Sequence, residues 1–285
     1  MFTKLHFGTA GSPLSSPARS FLDGIKQVRK LNLEAMELEF VRQVYIKEEN
    51  ASEVKKTAEE NNVVLTCHGQ YYINLNSLEK KKQEESIERI YKAAKIASLC
   101  GAKSVTFHAG FFNGKTEEET YKTIRMNLLE VKNRLESENH KIMLRPETTG
   151  KPSQFGSLQQ LIRLSKDIDI LPCVDFAHLH AREGKMNTFN EFHSTLALLE
   201  KELDCLKNMH IHMAGINYTE KGERNHLNLE DSDFNWKELL KAWKEFNIKG
   251  VVISESPNIE EDALLMQGYY ETYETDRTTE GIGKT

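Results

Sequence analysis

Ser104-Val105-Thr106-Phe107-His108 is a short, mostly apolar run that stops at a histidine, and Met143-Leu144-Arg145-Pro146-Glu147 is a second that stops at a carboxylate. Between them, Glu117–Ser137 has the pattern of an amphipathic helix. Two strands joined by a helix of that length run parallel with a right-handed crossover, because a tight hairpin cannot span the gap. The same unit recurs on both sides. Strands are predicted at Leu5–Gly8, Ala35–Glu39, Val63–His68, Leu171–Asp175, Met209–Met213 and Gly250–Glu255 as well. They are rich in Val, Ile, Leu and Phe, as strands covered on both faces should be. Helical patterns fill the gaps. The first starts with Pro17 just inside its end and continues through Phe21, Leu22, Ile25, Val28 and Leu31. Others are expected at Ser52–Asn61, Ser77–Cys100, Ser157–Ser165, Phe189–Leu203 and Trp236–Phe246.

Eight such units in 285 residues fit an α/β, (β/α)8 barrel of one domain. The alternative is an open, doubly wound sheet. Against it, Gly8-Thr9-Ala10-Gly11 is too short for a phosphate-binding GxGxxG and runs straight into Ser12-Pro13. The barrel domain is assigned to residues 1–268. Residues 269–285 are polar, lack an apolar stripe and read as a mobile terminus.

Composition narrows the functional classes. With 16 glycines and 6 prolines the chain is neither disordered nor fibrous. No run approaches the ~18 apolar residues of a membrane span, and the start MFTKLHFGTAG lacks a signal-peptide pattern, so a cytoplasmic protein is expected. Cys67, Cys100, Cys173 and Cys205 are far apart, form no CxxC pair and read as reduced, packed thiols. Against 38 basic residues stand 43 acidic ones, a net charge of -5, which argues against binding nucleic acid by bulk charge.

The ends of the strands carry the functional signal. In order from the third strand they are His68, His108, Glu147, Asp175, His212 and Glu255, and the second strand ends in Glu39. In a barrel all of these ends meet on one rim, where active sites of the fold are built. Imidazoles and carboxylates together are the donor set of divalent transition metals. His178 follows Asp175 in Asp-x-x-His, and His226 lies in the polar loop after the seventh strand. His210 shares a strand face with His212, one pleat deeper, so either could be the ligand; His212 lies nearer the rim. His180 is less well placed, and His6, His140 and His193 read as packing or solvated residues. The set is too large for one ion and implies a cluster of two or three, an arrangement suited to displacement at phosphorus.

These residues resemble the endonuclease IV family of abasic-site DNA-repair enzymes, over nearly the whole chain. His68-Gly69-Gln70-Tyr71-Tyr72-Ile73-Asn74-Leu75 is similar to its His-x-x-Tyr-x-x-Asn-Leu segment, and Phe107-His108-Ala109-Gly110 to its Phe-His-x-Gly. Glu147-Thr148-Thr149-Gly150, Asp175-Phe176-Ala177-His178 and Glu255-Ser256-Pro257 resemble its Glu-x-x-Gly, Asp-x-x-His and Glu-Thr-Pro motifs. The resemblance implies a barrel with three Zn2+ ions, Mn2+ being possible, that hydrolyses double-stranded DNA on the 5′ side of abasic sites to leave 3′-hydroxyl and 5′-deoxyribose phosphate ends. It places His68, His108 and bridging Glu147 on one ion, and Asp175, His212 and Glu255 with Glu147 on the second. His178, His226 and a carboxylate would hold the third. Glu147 and Glu255 are the catalytic candidates, Tyr71 takes the position of an aromatic wedge, and Arg42 is a DNA contact from the loop after the second strand. The family's third-site Asp-x-His departs here to Glu223-Arg224-Asn225-His226: its Asp falls on Arg224, unless one residue is inserted and Glu223 serves instead.

A competing class is the sugar isomerases and epimerases of the same barrel superfamily, for which Glu147, Asp175, His212 and Glu255 alone would suffice. The nuclease reading predicts a monomer associated with the nucleoid. It also changes the meaning of the net charge. Three divalent ions would cancel it and concentrate positive charge on one rim, where phosphate can be received by a local field.

Overall fold

The computed structural model describes residues 2–184 and 186–280. Eight strands form one sheet: β1 (Leu5–Ala10), β2 (Ala35–Glu39), β3 (Val64–His68), β4 (Ser104–Phe107), β5 (Met143–Pro146), β6 (Val174–Asp175), β7 (Met209–Met213) and β8 (Gly250–Ser254). Their order is β5-β4-β3-β2-β1-β8-β7-β6, and every neighbouring pair is parallel. The two ends meet through a parallel bridge between Glu147 and Cys173. There Cys173 N–H donates to Pro146 O and Thr148 N–H donates to Cys173 O, each at 3.1 Å. The sheet is therefore a closed (β/α)8 barrel, as the alternation of elements predicts.

Helices α1 (Phe21–Lys30), α2 (Ala51–Glu60), α3 (Lys80–Leu99), α4 (Glu117–Ser137), α5 (Leu158–Ile168), α6 (Phe176–Glu183), α7 (Phe189–Leu203), α8 (Trp236–Glu245) and α9 (Glu260–Glu280) surround it. Reciprocal caps start three of them: Thr116 with Glu119, Ser157 with Gln160, and Thr188 with Glu191. Each satisfies amide groups that a helix start leaves open, worth about 1 kcal/mol. None of the helices among the described residues is long and apolar enough to cross a membrane. All four cysteines are buried free thiols, with burial pushing Cys100 and Cys173 up to about 12.

The inside of the barrel holds a polar network beside a small aliphatic cluster of Ala35, Val251 and Ile253. Glu37 on β2 accepts from Thr66 Oγ1 at 2.8 Å and lies 3.0 Å from His210 Nε2. His210 Nδ1 is 3.0 Å from Ser104 Oγ. Below them, Arg145 donates to the carbonyls of Pro172 and Asn208. The apolar core lies instead between strands and helices, where Phe107, Phe155, Phe176 and Trp243 are fully buried.

Four local features differ from the sequence reading. α1 starts at Phe21 rather than near Pro17, because the Ser20 hydroxyl accepts Asp23 N–H and donates to its carboxylate, fixing the first turn there. α6 begins directly at the end of a strand only two residues long, with Asp175 as its N-cap. The polar loop after β7 is a hairpin of Gly215–Thr219 and Gly222–Leu227. The domain boundary after Gly268 falls inside α9, which extends to Glu280 and packs Tyr269 and Tyr270 on the core. The remainder of the expected tail, residues 281–285, lies outside the described residues.

Candidate metal centre

A cavity of about 660 Å³ opens at the C-terminal rim, and His68, His108, Glu147, His178, Glu223, His226 and Glu255 line it. Parallel register places them there: His68 stands level with Glu39 across β2 and β3, and Asp175 level with His212 across β6 and β7. Among the described residues four groups have donor atoms mutually within 4.8 Å; three lie at the rim, namely His68, His108 and Glu147; Glu147, Asp175, His212 and Glu255; and Asp175, His178 and His226, while the fourth, Cys173, His210 and His212, lies deeper in the barrel. Glu147 belongs to two of them and Asp175 to two, so the groups form a continuous chain across the barrel mouth.

The spacing within these groups fits ions better than direct hydrogen bonds. His108 Nε2 and His68 Nε2 lie 3.3 and 3.5 Å from Glu147 Oε2. His212 Nδ1 lies 3.2 Å from Glu147 Oε1 and 3.3 Å from Glu255 Oε2. His178 Nε2 faces His226 Nε2 at 3.3 Å and Glu223 Oε2 at 3.5 Å. Two donors each ~2.0–2.1 Å from one tetrahedral ion stand ~3.3 Å apart. Glu147 Oε2 and Asp175 Oδ2 are buried without hydrogen-bond partners, the condition of carboxylates that lack their cation. Nitrogen and oxygen donors of this kind suit a divalent transition metal.

Four of the imidazoles are oriented from behind, so that one nitrogen is held. His68 Nδ1 bonds Gly69 O at 2.7 Å, His178 Nδ1 bonds Thr148 O at 3.0 Å, and His226 Nδ1 bonds Glu255 O at 3.3 Å. His212 Nε2 is 2.8 Å from Glu37 Oε1, a close charge contact. Asp175 divides its oxygens: Oδ1 caps α6 by accepting His178 N–H at 2.7 Å, and Oδ2 faces the cluster. His210 is turned into the barrel interior toward Ser104 and Glu37, and joins no group with Glu147.

The electrostatics of this crowd are strong. Burial opposes ionisation of Glu147, but His212 and His108 outweigh it and hold the carboxyl well below its usual range. Burial likewise works against Glu255, yet His212 draws it down to about 2. Asp175 goes the other way, raised to about 6 mainly by burial despite His178. Glu39 is raised to about 8 by burial and by Glu37. Burial disfavours charge on His68, but the carboxylates of Glu147 and Glu39 beside it raise it to about 10. His178 and His212 are also raised well above the usual imidazole value, against burial, His178 by Asp175 and Glu147 and His212 by Cys173 and then Glu255 and Glu37.

The hairpin resolves the geometry of Glu223 and His226. Its ladder shifts between Asn217 and Tyr218, so that Asn217 pairs with Asn225 and Tyr218 with Glu223. Arg224 is the extra residue of a bulge; it is exposed, while Glu223 turns inward. The hairpin is held close to the barrel, with Glu223 N–H donating to Gly150 O at 2.9 Å. A Cβ on Gly150 would lie 2.6 Å from Glu223 Cβ, so this approach requires glycine. Arg182 fixes the facing loop through Thr149 Oγ1, Lys151 O and Gln154 O.

Tyr71 stands on the rim, 68 % exposed, with its ring 5.9 Å from that of His68. Arg42 is exposed beside it: Tyr71 N–H donates to Val41 O, and Gln70 Nε2 donates to Arg42 O. Glu37 is not among the expected site residues, although Glu37-x-Glu39 puts two carboxylates on one face of an otherwise apolar strand. Lys151 and Gln154, also absent from the expectation, line the cavity.

Residues 25–272 match the family described as the xylose isomerase-like TIM barrel. An uncharacterized protein of Methanocaldococcus jannaschii is 45 % identical over 269 residues, covering 93 % of this chain and 97 % of its own. A probable endonuclease 4 of Mycoplasma genitalium is 24 % identical over 239 residues, 79 % of this chain and 80 % of its own. Among solved structures, endonuclease IV from Thermus thermophilus superposes with a TM-score of 0.73 at 16 % identity, covering 93 % of this chain and 99 % of that one. An L-ribulose 3-epimerase superposes with a TM-score of 0.70 at 11 % identity, covering 98 % of each. One fold therefore accommodates both chemistries, and the reaction has to be argued from the site.

Proposed function

The chain belongs to the xylose isomerase-like TIM barrel family, and from that premise we propose that it is a metal-dependent endonuclease that hydrolyses the phosphodiester 5′ of abasic sites in double-stranded DNA. The observation that carries this reading is the surplus of ligands. Glu147, Asp175, His212 and Glu255 alone would serve a one-ion ketose epimerase. His68 and His108 extend that set on one side through Glu147, and His178 and His226 extend it on the other through Asp175. An enzyme that moves a proton on a sugar has no use for the extra imidazoles; phosphoryl chemistry, with charge on three kinds of oxygen, does.

Divalent ions held there, zinc or manganese, supply Lewis-acid charge at phosphorus and acidify water. The residues do the rest. Glu147 and Glu255 remain ionised at neutral pH and can accept hydrogen bonds from an attacking water, fixing its direction. His68, His178 and His212 are pre-oriented by their second nitrogens, so little order is lost on assembly. The cavity has room for an extruded sugar phosphate, and an abasic nucleotide leaves the stack at low cost. Tyr71 and Arg42, adjacent and exposed, would occupy the space that nucleotide leaves. A DNA substrate would place a monomer of this protein with the nucleoid.

The deciding experiment combines elemental analysis of the purified protein with a nicking assay on a duplex bearing one abasic site. Two or three ions per chain and a single incision leaving a 3′-hydroxyl are expected. One ion per chain together with epimerisation of a ketose would replace this reading with the sugar-enzyme one.

A further inference from the structure

The opposite mouth of the barrel has a feature that the rim chemistry does not use. A second cavity, of about 510 Å³, is lined there by Phe2, Lys103, Lys141, Met143, Arg145 and Asn208, among others. Arg145 projects into the barrel from β5 and is only 3 % exposed. Its bonds go to Pro172 O at 2.9 Å, Asn208 O at 2.7 Å and Asn208 Oδ1 at 3.1 Å, all neutral acceptors. Its Nε is buried with no partner. Among the described residues no carboxylate pairs with Arg145, Lys103 or Lys141. Glu34, on the same end of the barrel, is occupied by Lys4 at 2.7 Å and His6 at 3.1 Å.

Burying a guanidinium without a counter-charge is costly, and neutral carbonyls offset the cost only in part. A buried positive charge beneath two exposed, unpaired amines in a concave site is a receptor for an anion. Arg suits the planar, multidentate recognition of phosphate, and lysines add point charge. Phe2 and Met143 give the cavity an apolar wall. We propose that the N-terminal mouth of the barrel is a second binding site, which takes the phosphate group of a small phosphorylated molecule on Arg145, Lys103 and Lys141.

The test is equilibrium dialysis of the metal-loaded protein against inorganic phosphate in one arm and adenosine 5′-monophosphate in the other, at low ionic strength. The wild type is compared with the double variant K103A/K141A, whose changes lie on exposed side chains at the far end of the barrel from the metal centre. Because the metal centre can also take phosphate, the reading is the difference between the two proteins. The wild type is expected to bind one equivalent that the double variant binds at least about tenfold more weakly, the effect of losing charge-assisted contacts. Tighter binding of the nucleotide than of phosphate assigns the apolar wall to the organic part; equal binding assigns the site to phosphate alone. Arg145→Met should act in the same direction, and the double variant keeps the test open if that change harms folding. Superimposable isotherms for wild type and double variant in both arms would overturn the proposal.

Discussion

Glu223 and His226 face the same cavity although they stand three positions apart on one strand, because Arg224 bulges out of the ladder between them. A regular strand would have put them on opposite faces. The inserted residue thus brings Glu223 Oε2 to 3.5 Å from His178 Nε2, beside the third group, at a position where aligned spacing would place a cation. Glu223→Gln is expected to lower bound metal by up to one ion per chain, while Arg224→Ala leaves it unchanged. Deleting Arg224 should lose the same ion by rotating Glu223 outward. Elemental analysis of the three variants checks this, and full metal content in both Glu223→Gln and the deletion would show that Asp175 alone serves as the carboxylate of that group.

Among the described residues Glu147 is the one carboxylate within 3.5 Å of His68, His108, His178 and His212. Glu147→Gln removes a charge shared by two groups, so two ions should weaken together and incision should fall by ~100-fold or more. A variant that keeps wild-type nicking would remove Glu147 from the mechanism altogether. Because Gln retains the shape, a collapse of folding is not expected to confuse the result.

Glu37 does not line the cavity, yet it holds His212 from behind at 2.8 Å and His210 at 3.0 Å. Supporting contacts of this kind typically tune metal affinity by ~10–100-fold. Glu37→Gln should therefore weaken metal binding by that order while leaving the proposed incision intact at saturating metal. A competition titration with a chromogenic chelator measures the first, and nicking at excess metal the second. An unchanged affinity would show that His212 is oriented by the barrel wall alone.

His68, His108, Glu147, Asp175, His212 and Glu255 are legible in the sequence because parallel strands fix which end of each run faces the rim, and a ligand-type residue stands at each end. The fold follows from the same alternation. Glu37 is hidden because its role depends on which way a strand turns inside the barrel, and period-two alternation alone does not set that phase. The bulge at Arg224 is one of two alternatives that the sequence allows, since an extra residue in a polar hairpin leaves no hydrophobic register to betray it. α1 starts at Phe21 because two side-chain bonds at Ser20 outweigh the preference of Pro17 for a helix start. α9 crosses Gly268 because Tyr269 and Tyr270 continue the helical spacing of Ala263 and Met266 onto the core, an apolar stripe that the polar residues between them conceal.

Metal loading should depend steeply on pH, in a direction the site dictates. In the metal-free protein His68 is raised to about 10, and His178 and His212 well above the usual value, so all three carry protons at pH 7. A metal ligand must be the neutral imidazole, so loading expels these protons and affinity rises with pH. Below about pH 6 Asp175 also becomes protonated and affinity falls further. The metal-free fold has the opposite trend: a raised imidazole pKa stabilises it fully below ~6.5, and that contribution is lost as pH rises through about 10 for His68. Calorimetric titration of zinc into metal-free protein at pH 7, in buffers of different ionisation enthalpy, should report release of more than one proton per chain. Denaturation midpoints should separate between the two forms as pH rises from 7 to 10, the metal-free one declining. Loading without proton release would mean that the imidazoles are already neutral, and that the carboxylates around them do not act as the geometry requires.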